Sequence, residues 1–88
     1  MADFTDPRLK RLLFQSTHRG TKEMDVILGG FAAQHLAVLS DDQLGRFEAL
    51  LEESDADLFD WISGKRKTPD SMDHDVMMMM IRIYEGTL

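Results

Sequence analysis

The segment from His18 to Asp25 is the one part of this chain whose residue types and spacing could do chemistry. Its sequence is His-Arg-Gly-Thr-Lys-Glu-Met-Asp, and it lies between two segments with helical apolar spacing. Arg19 offers a fork of hydrogen-bond donors, and Glu23 adds a carboxylate at the entrance of a helix. Gly20 leaves bare backbone that another molecule can approach closely. This combination indicates a docking surface before it indicates an active site.

A purely structural interpretation of the same cluster stays open. A helix N-terminus favours a glycine near the cap and a glutamate in the first turn, with an exposed arginine beside them. Capping alone, however, requires neither Arg19 nor a second acid at Asp25. The cluster also stands at the tip of a strongly basic segment, which favours docking.

Other kinds of chemical site are not supported by the residues. The chain has no cysteine, which excludes a disulfide framework, a thiolate metal site and a cysteine nucleophile. No two of its three histidines have the i, i+4 spacing of a helical metal pair, so no metal site is expected. An acid–base enzyme built on Glu23 and His18 is disfavoured, because so small a bundle is not expected to contain a deep apolar pocket.

Charge is distributed unevenly along the 88 residues, whose formal net charge is -6. Residues 8–22 carry five lysines and arginines and no acid, whereas residues 41–60 carry eight acids and one arginine. Such polarity predicts electrostatic steering of a protein partner. The overall acidity argues against DNA or RNA, whose phosphates need a basic footprint.

Helix-start signals and apolar spacing together predict an all-α fold, a compact bundle of about five short helices. No segment alternates apolar and polar residues with the period of a strand. The predicted starts combine capping residues with proline at the first helical position, and Ser40 with Gln43 fits a capping box. These starts lie at Asp6-Pro7, Gly20 or Thr21, Ser40, Ser54 or Asp55, and Thr68-Pro69 or Asp70, and Gly64 and Gly86 are predicted helix ends.

Two internal patterns predict how the helices pack. Gly29-Gly30 lies within the second helix, where glycine is unfavourable, so we expect a neighbouring helix to approach closely there. Met77 to Met80 cover a full helical turn, so at least one of them must face solvent or another protein. Core filling and a partner groove both remain open for this run.

We expect residues 1–88 to form a single helical domain, with an N-terminal tail at 1–5 and an exposed basic link at 65–68 before the last helix. The acidic first residues lack the basic and apolar regions of a secretory signal. The longest apolar run, Val76 to Ile81, is far shorter than the ~20 residues that cross a bilayer. The sequence thus predicts a cytoplasmic, soluble monomer that does not insert into membranes.

Several motifs, taken in order, resemble a known family, the small helical FAD assembly factors of succinate dehydrogenase. The signature of that family is Arg-Gly-x-x-Glu followed by an apolar helix, which matches Arg19, Gly20 and Glu23 here. The resemblance covers most of the chain. It is carried by Leu12-Leu13-Phe14, His18 to Asp25, Ile27-Leu28-Gly29, Leu39-Ser40, Phe47 to Leu51 and Asp57 to Ile62.

Members of that family bind the flavoprotein subunit of succinate dehydrogenase, and sometimes of fumarate reductase, and promote covalent attachment of FAD to it. The resemblance implies a non-catalytic assembly factor or chaperone that holds no FAD stably by itself and acts on the flavin of its partner. It implies a contact surface where Arg19 offers a bidentate fork, Gly20 admits the partner backbone, and Glu23 accepts from the partner or orders the loop. The residues expected to flank this surface are His18, Lys22 and Asp25.

A second function stays open beside this one. The chain could be a helical protein-binding adaptor of another kind, such as an antitoxin-like regulator. The two functions differ in the protein that affinity capture would retain.

Overall fold

Capping residues and apolar periodicity place five α-helices along the chain, and the computed structural model describes residues 6–87. These residues form no strand, so the predicted all-α fold is confirmed; the predicted tail, 1–5, lies outside them. Two short 3-10 turns, Leu36–Val38 and Asp70–Met72, accompany the helices. The helices are α1 (Pro7–Thr17), α2 (Lys22–His35), α3 (Asp41–Leu51), α4 (Asp55–Ile62) and α5 (Asp75–Thr87).

The N-terminal caps predicted for α1, α3 and α4 are confirmed. Asp6 caps α1 by accepting from a backbone N–H of the first turn at 2.7 Å. Ser40 and Gln43 form the reciprocal capping box at the start of α3, with distances of 3.2 and 2.9 Å. Ser54 caps α4 through its hydroxyl. Local sequence signals therefore fix these three helix starts.

The fifth helix begins later than the sequence predicts. The expected start at 68–70 holds only a 3-10 turn, Asp70–Met72, and α5 proper begins at Asp75. His74 lies just before it and accepts from the backbone N–H of Met77 through Nδ1 at 3.2 Å. A histidine ring thus caps α5, where the sequence favours proline and aspartate a few residues earlier.

The two glycines predicted to end helices behave differently. Gly64 follows the last residues of α4 and has φ +81, the left-handed conformation that glycine adopts without a steric penalty. Gly86 has no positive φ and lies inside α5, which extends to Thr87. The prediction is confirmed for Gly64 and wrong for Gly86.

Gly29 and Gly30 lie where α2 meets α1 and α5. A Cβ added at Gly29 would be 3.1 Å from Thr17 Cγ2, and one at Gly30 would be 3.7 Å from Ile83 Cγ2. The close approach predicted from the glycine pair is therefore confirmed, most tightly at Gly29.

The core contains apolar side chains from all five helices. The buried residues of α2 are Met24, Ile27, Leu28, Phe31 and Ala32, and His35 lies half-buried at the rim, with its ring centroid 5.3 Å from that of Phe31. Trp61 is buried and anchors α4. The methionine run divides: Met77 and Met80 are fully buried, whereas Met78 is 47% exposed. Core filling therefore explains half of the run, and one member faces outward as expected.

Many of the opposite charges noted in the sequence pair with each other across helices. Arg8 forms an ion pair with Glu48, and Arg11 lies 3.5 Å from the same carboxylate, which ties α1 to α3. In the basic link, Arg66 reaches back to Asp57 and Asp60 of α4. The fold therefore pairs part of the opposite charge internally, and the role of the charge polarity in steering a partner stays a prediction.

Membrane crossing is a separate matter. None of the helices within residues 6–87 combines the length and apolar character that a bilayer span requires.

Candidate functional site

The Arg-Gly-x-x-Glu segment forms the tight connection between α1 and α2. His18 ends α1, and Thr21 stands at the N-cap of α2. Between them Gly20 adopts φ +109, a conformation that residues with a Cβ rarely take. The expected start of α2 at Gly20 or Thr21 is thus correct within one residue. Glycine is required at position 20 by the backbone itself.

The guanidinium of Arg19 turns into its own protein. Its Nε donates to Asp55 Oδ1 at 2.6 Å, its Nη1 donates to the carbonyl of Leu51 at 2.7 Å, and its Nη2 donates to the carbonyl of Glu53. Only 12% of the side chain is exposed. This differs from the expectation that Arg19 offers a bidentate fork to a partner, and equally from an exposed arginine beside a helix cap.

The end of α3 explains why the guanidinium of Arg19 binds between Leu51 and Asp55. The last carbonyls of a helix have no partner within it and carry partial negative charge. Leu51 is the last residue of α3, and Asp55 begins α4 after the three-residue connection 52–54. Carbonyls and a carboxylate therefore converge on one position, which suits a cation with several donors. Arg19 joins the α1–α2 connection to the α3–α4 connection.

Asp25 orders the loop from the other side. Its Oδ1 accepts from the backbone N–H of Arg19 at 2.8 Å, so the first turn of α2 holds the residue before Gly20. Loop ordering was one role expected of Glu23, but Asp25 performs it. The hydroxyl of Thr21 donates to Asp55 Oδ2 at 3.1 Å instead of capping its own helix.

Gly20, Lys22 and Glu23 form the outward part of the segment. All three are exposed, and a Cβ built on Gly20 would meet no atom within 4 Å beyond its chain neighbours. Within residues 6–87, the side chain of Glu23 forms no hydrogen bond or ion pair. The motif therefore divides into a supporting part (Arg19 and Asp25) and an exposed edge, which we call the presented edge and define as Gly20, Lys22 and Glu23.

His18 lies apart from the presented edge. Its ring stacks on Phe14 with centroids 4.0 Å apart, and its Nδ1 lies 2.9 Å from the Phe14 carbonyl. His18 and Glu23 line different surface depressions, the first with Phe14 and the second with Phe59. The arrangement gives no support to a shared acid–base pair. Among residues 6–87 no group of acidic or histidine side chains could hold a metal ion.

Apolar side chains border Glu23 that the sequence analysis did not connect with it. One shallow depression is lined by Glu23, Met24 and Phe59, and the next by Glu23, Val26 and Tyr84. Val26 is 53% exposed, and the rings of Phe59 and Tyr84 meet edge to face at 5.8 Å. The presented edge therefore continues into an apolar surface formed by α2, α4 and α5.

Asp55 is the functional candidate that sequence reasoning missed. The sequence marks it only as a possible cap of α4, and Ser54 takes that position instead. A carboxylate freed from capping, at the start of α4 and a few residues after the end of α3, was the available signal. Seven other acids in residues 41–60 gave no way to select it.

Comparison with known proteins identifies the family. Residues 10–85 match the sequence model of the family described as flavinator of succinate dehydrogenase. This match extends beyond residue 62, the last of the residues that carried the resemblance seen in the sequence.

Curated relatives agree with this match. The mitochondrial succinate dehydrogenase assembly factor 2 of Candida glabrata is 41% identical over 72% of this chain and 41% of its own length. The protein of the same name from Dictyostelium discoideum is 37% identical over 81% of this chain and 50% of its own. The FAD assembly factor SdhE of Acetobacter pasteurianus is 33% identical over 90% of this chain and 75% of its own.

This chain thus spans half or less of the two eukaryotic relatives and three quarters of the bacterial one. The family match covers nearly all of the described helices, including the Arg-Gly-x-x-Glu segment and the α3–α4 connection. The chain belongs to the family of flavinators of succinate dehydrogenase.

Proposed function

We propose that this chain is an assembly factor that binds the flavoprotein subunit of succinate dehydrogenase, or of fumarate reductase, and promotes covalent attachment of FAD to that subunit. The observation that carries the proposal is the presented edge, in which an exposed glycine on a braced loop lies beside the Glu23 carboxylate of the first turn of α2, unpaired within residues 6–87. The family description supplies the reaction. Neither the family nor the names of the relatives favour an antitoxin-like adaptor.

The partner contacts Gly20, Lys22 and Glu23 directly in this proposal. Gly20 admits the partner backbone, because no side chain stands over it. Glu23 accepts hydrogen bonds from the partner and Lys22 donates them. Arg19 and Asp25 belong to the binding site because they hold the connection between α1 and α2 in place, and His18 flanks the site.

The apolar surface beside Glu23 extends the same contact. Val26 and Phe59 give this surface area that a partner can bury, whereas the presented edge supplies polar specificity. Protein interfaces usually combine an apolar centre rich in aromatic residues with a polar rim.

The chain promotes the reaction without catalysing it in this account. Covalent attachment requires a histidine nitrogen of the flavoprotein to be held against the flavin, which is a positioning and electrostatic problem. A bundle that binds the competent conformation of the flavoprotein more tightly than other conformations increases its population. The chain itself then needs neither a nucleophile nor stably bound FAD.

Two further properties belong to the proposal. We propose that the free chain is a monomer that docks as a rigid bundle. We also propose a cytoplasmic location, as fits the bacterial relative, whereas the eukaryotic relatives are named mitochondrial.

Complex formation tests the function. The purified chain is titrated calorimetrically into the flavoprotein subunit loaded with non-covalent FAD, and in parallel into an unrelated flavoprotein. We expect a saturable one-to-one complex with the first and no heat with the second. Equal behaviour toward the two flavoproteins would contradict the proposal, and capture of a different protein alone would favour another adaptor.

A further inference from the structure

We propose that Asp55 is a positioning residue for flavoprotein binding. It lies outside the Arg-Gly-x-x-Glu motif, yet its carboxylate accepts hydrogen bonds from the residues on both sides of Gly20. These bonds hold the presented edge in its exposed conformation. This inference rests on the proposed function, because it assigns a role within the same binding site.

The contacts of Asp55 are divided between its two oxygens. Oδ1 accepts from Arg19 Nε at 2.6 Å, and Oδ2 accepts from the Thr21 hydroxyl at 3.1 Å. Gly20 is the single residue between these two anchors. One carboxylate on α4 therefore accepts hydrogen bonds from both residues that flank Gly20 in the connection between α1 and α2. We call these two hydrogen bonds the Asp55 clasp.

Asp55 is available for this role because α4 does not use it as a cap. The hydroxyl of Ser54 accepts from the backbone N–H of Asp57 at 3.1 Å and satisfies the helix start. The side chain of Asp55 is only 18% exposed, and that of Arg19 is 12% exposed. Because both charges are partly buried, removing one of them leaves the other without a partner, which costs more free energy than breaking an exposed ion pair.

Gly20 makes such a clasp necessary. Glycine has the greatest backbone freedom of any residue, so a free loop would sample many conformations besides φ +109. A partner that binds one of them would have to order the loop at the cost of affinity. The Asp55 clasp and the Arg19 N–H bond to Asp25 hold that conformation before the partner arrives.

The first test uses the variant Asp55→Asn, which keeps the size of the side chain but removes its charge and one of its acceptor oxygens. We expect the amide hydrogen of Arg19, which is bonded to Asp25, to exchange faster and the affinity for the FAD-loaded flavoprotein to fall about tenfold. Asp57→Asn is the matched control, since it removes the same charge from the same helix and breaks only the contact with Arg66. Its exchange at Arg19 and its affinity should equal those of the wild-type chain.

A milder variant covers the case in which Asp55→Asn fails to fold. Thr21→Val removes only the hydroxyl that donates to Oδ2 and leaves the Arg19 contacts intact. Because Thr21 makes no side-chain cap with its own helix, the substitution should not weaken α2. We expect faster exchange of the Arg19 amide hydrogen and an affinity loss of about threefold.

The outcomes separate this inference from the proposed function. Wild-type affinity or wild-type exchange of the Arg19 amide in the folded Asp55→Asn and Thr21→Val chains would overturn the positioning role while the proposed function stands. Failure of the wild-type chain to bind the flavoprotein would overturn the proposed function and, with it, any role of Asp55 in that binding.

Discussion

Arg19 Nε donates to Asp55 Oδ1 across 2.6 Å and so joins two residues 36 positions apart in the chain. Through this bond the arginine of the family signature supports the site from within, and the glycine and glutamate remain outside. The two parts of the signature should therefore fail in different ways when they are altered. Changes to the exposed side chain of Glu23 should affect only binding, whereas changes to the supporting part should also loosen the loop.

Glu23→Gln should weaken binding of the flavoprotein without altering the fold. Its carboxylate is exposed and forms no hydrogen bond or ion pair within residues 6–87, so the free energy of unfolding should change by less than about 0.5 kcal/mol. Loss of a charged acceptor at an interface should reduce affinity by about tenfold to a hundredfold, measured by calorimetric titration.

Asp42→Asn serves as the control for Glu23→Gln. It removes one negative charge from an exposed first-turn position of α3, away from the presented edge. Its affinity should stay at the wild-type value. Equal losses in the two variants would show a general effect of net charge and would contradict a specific contact at Glu23.

Gly20→Ala should cost both stability and binding. Its positive φ imposes about 1 to 2 kcal/mol of backbone strain on any residue with a Cβ, although the added methyl group meets no neighbour. The methyl group also stands where the partner backbone is proposed to approach. Chemical unfolding and titration of the same variant measure the two effects.

Gly64→Ala is the matched control for Gly20→Ala, because Gly64 also has a positive φ and open space around it. Both variants should lose similar stability, and only Gly20→Ala should lose affinity. If Gly64→Ala weakens binding equally, strain alone accounts for the loss at Gly20.

The glycine pair of α2 gives a prediction about packing alone. Gly30→Ala should stabilise the protein by up to about 1 kcal/mol, because alanine favours the helix and its Cβ would lie at an ordinary 3.7 Å from Ile83. Gly29→Ala should gain less or lose, since Thr17 stands only 3.1 Å away and must shift. Urea unfolding compares the two, and a larger gain at Gly29 would contradict the close approach of α1.

Stability should fall with pH as His74 titrates. Partial burial lowers the pKa of His74 below its ordinary 6.5, and Arg46 acts in the same direction against the nearby carboxylates of Asp75 and Asp73. The unfolded chain therefore binds the proton first, so the free energy of unfolding decreases as pH drops from 6.5 towards the folded-state pKa.

His74→Asn tests this pH dependence. The amide oxygen of asparagine can still cap α5 at Met77, but the side chain does not titrate. Thermal unfolding between about pH 5 and pH 7.5 should then show a smaller slope than in the wild-type chain. An unchanged slope would place its origin in other groups. Asp75 contributes only at lower pH, because its own pKa lies below the usual 3.8.

Local features of the fold were predictable from sequence, because caps and apolar spacing involve neighbouring residues. The capping box at Ser40 and the close approach at Gly29 are examples. The start of α5 was not, because His74 offers an acceptor that competes with the stronger signal of proline and aspartate before it.

The site was predictable only in part. The motif marked its position, but nothing local to Arg19 shows that its acceptors come from the end of α3 and from Asp55. Such a contact depends on how distant helices pack. For the same reason the sequence could not tell which acid orders the loop, Glu23 or Asp25.

The rate of covalent flavin attachment tests the central claim most directly. The flavoprotein subunit carrying non-covalent FAD is incubated with and without the purified chain, and flavin fluorescence is measured in the gel after denaturation. We predict faster appearance of bound fluorescence with the wild-type and Asp42→Asn chains than with Glu23→Gln. A rate that does not change when the wild-type chain is added would contradict the account.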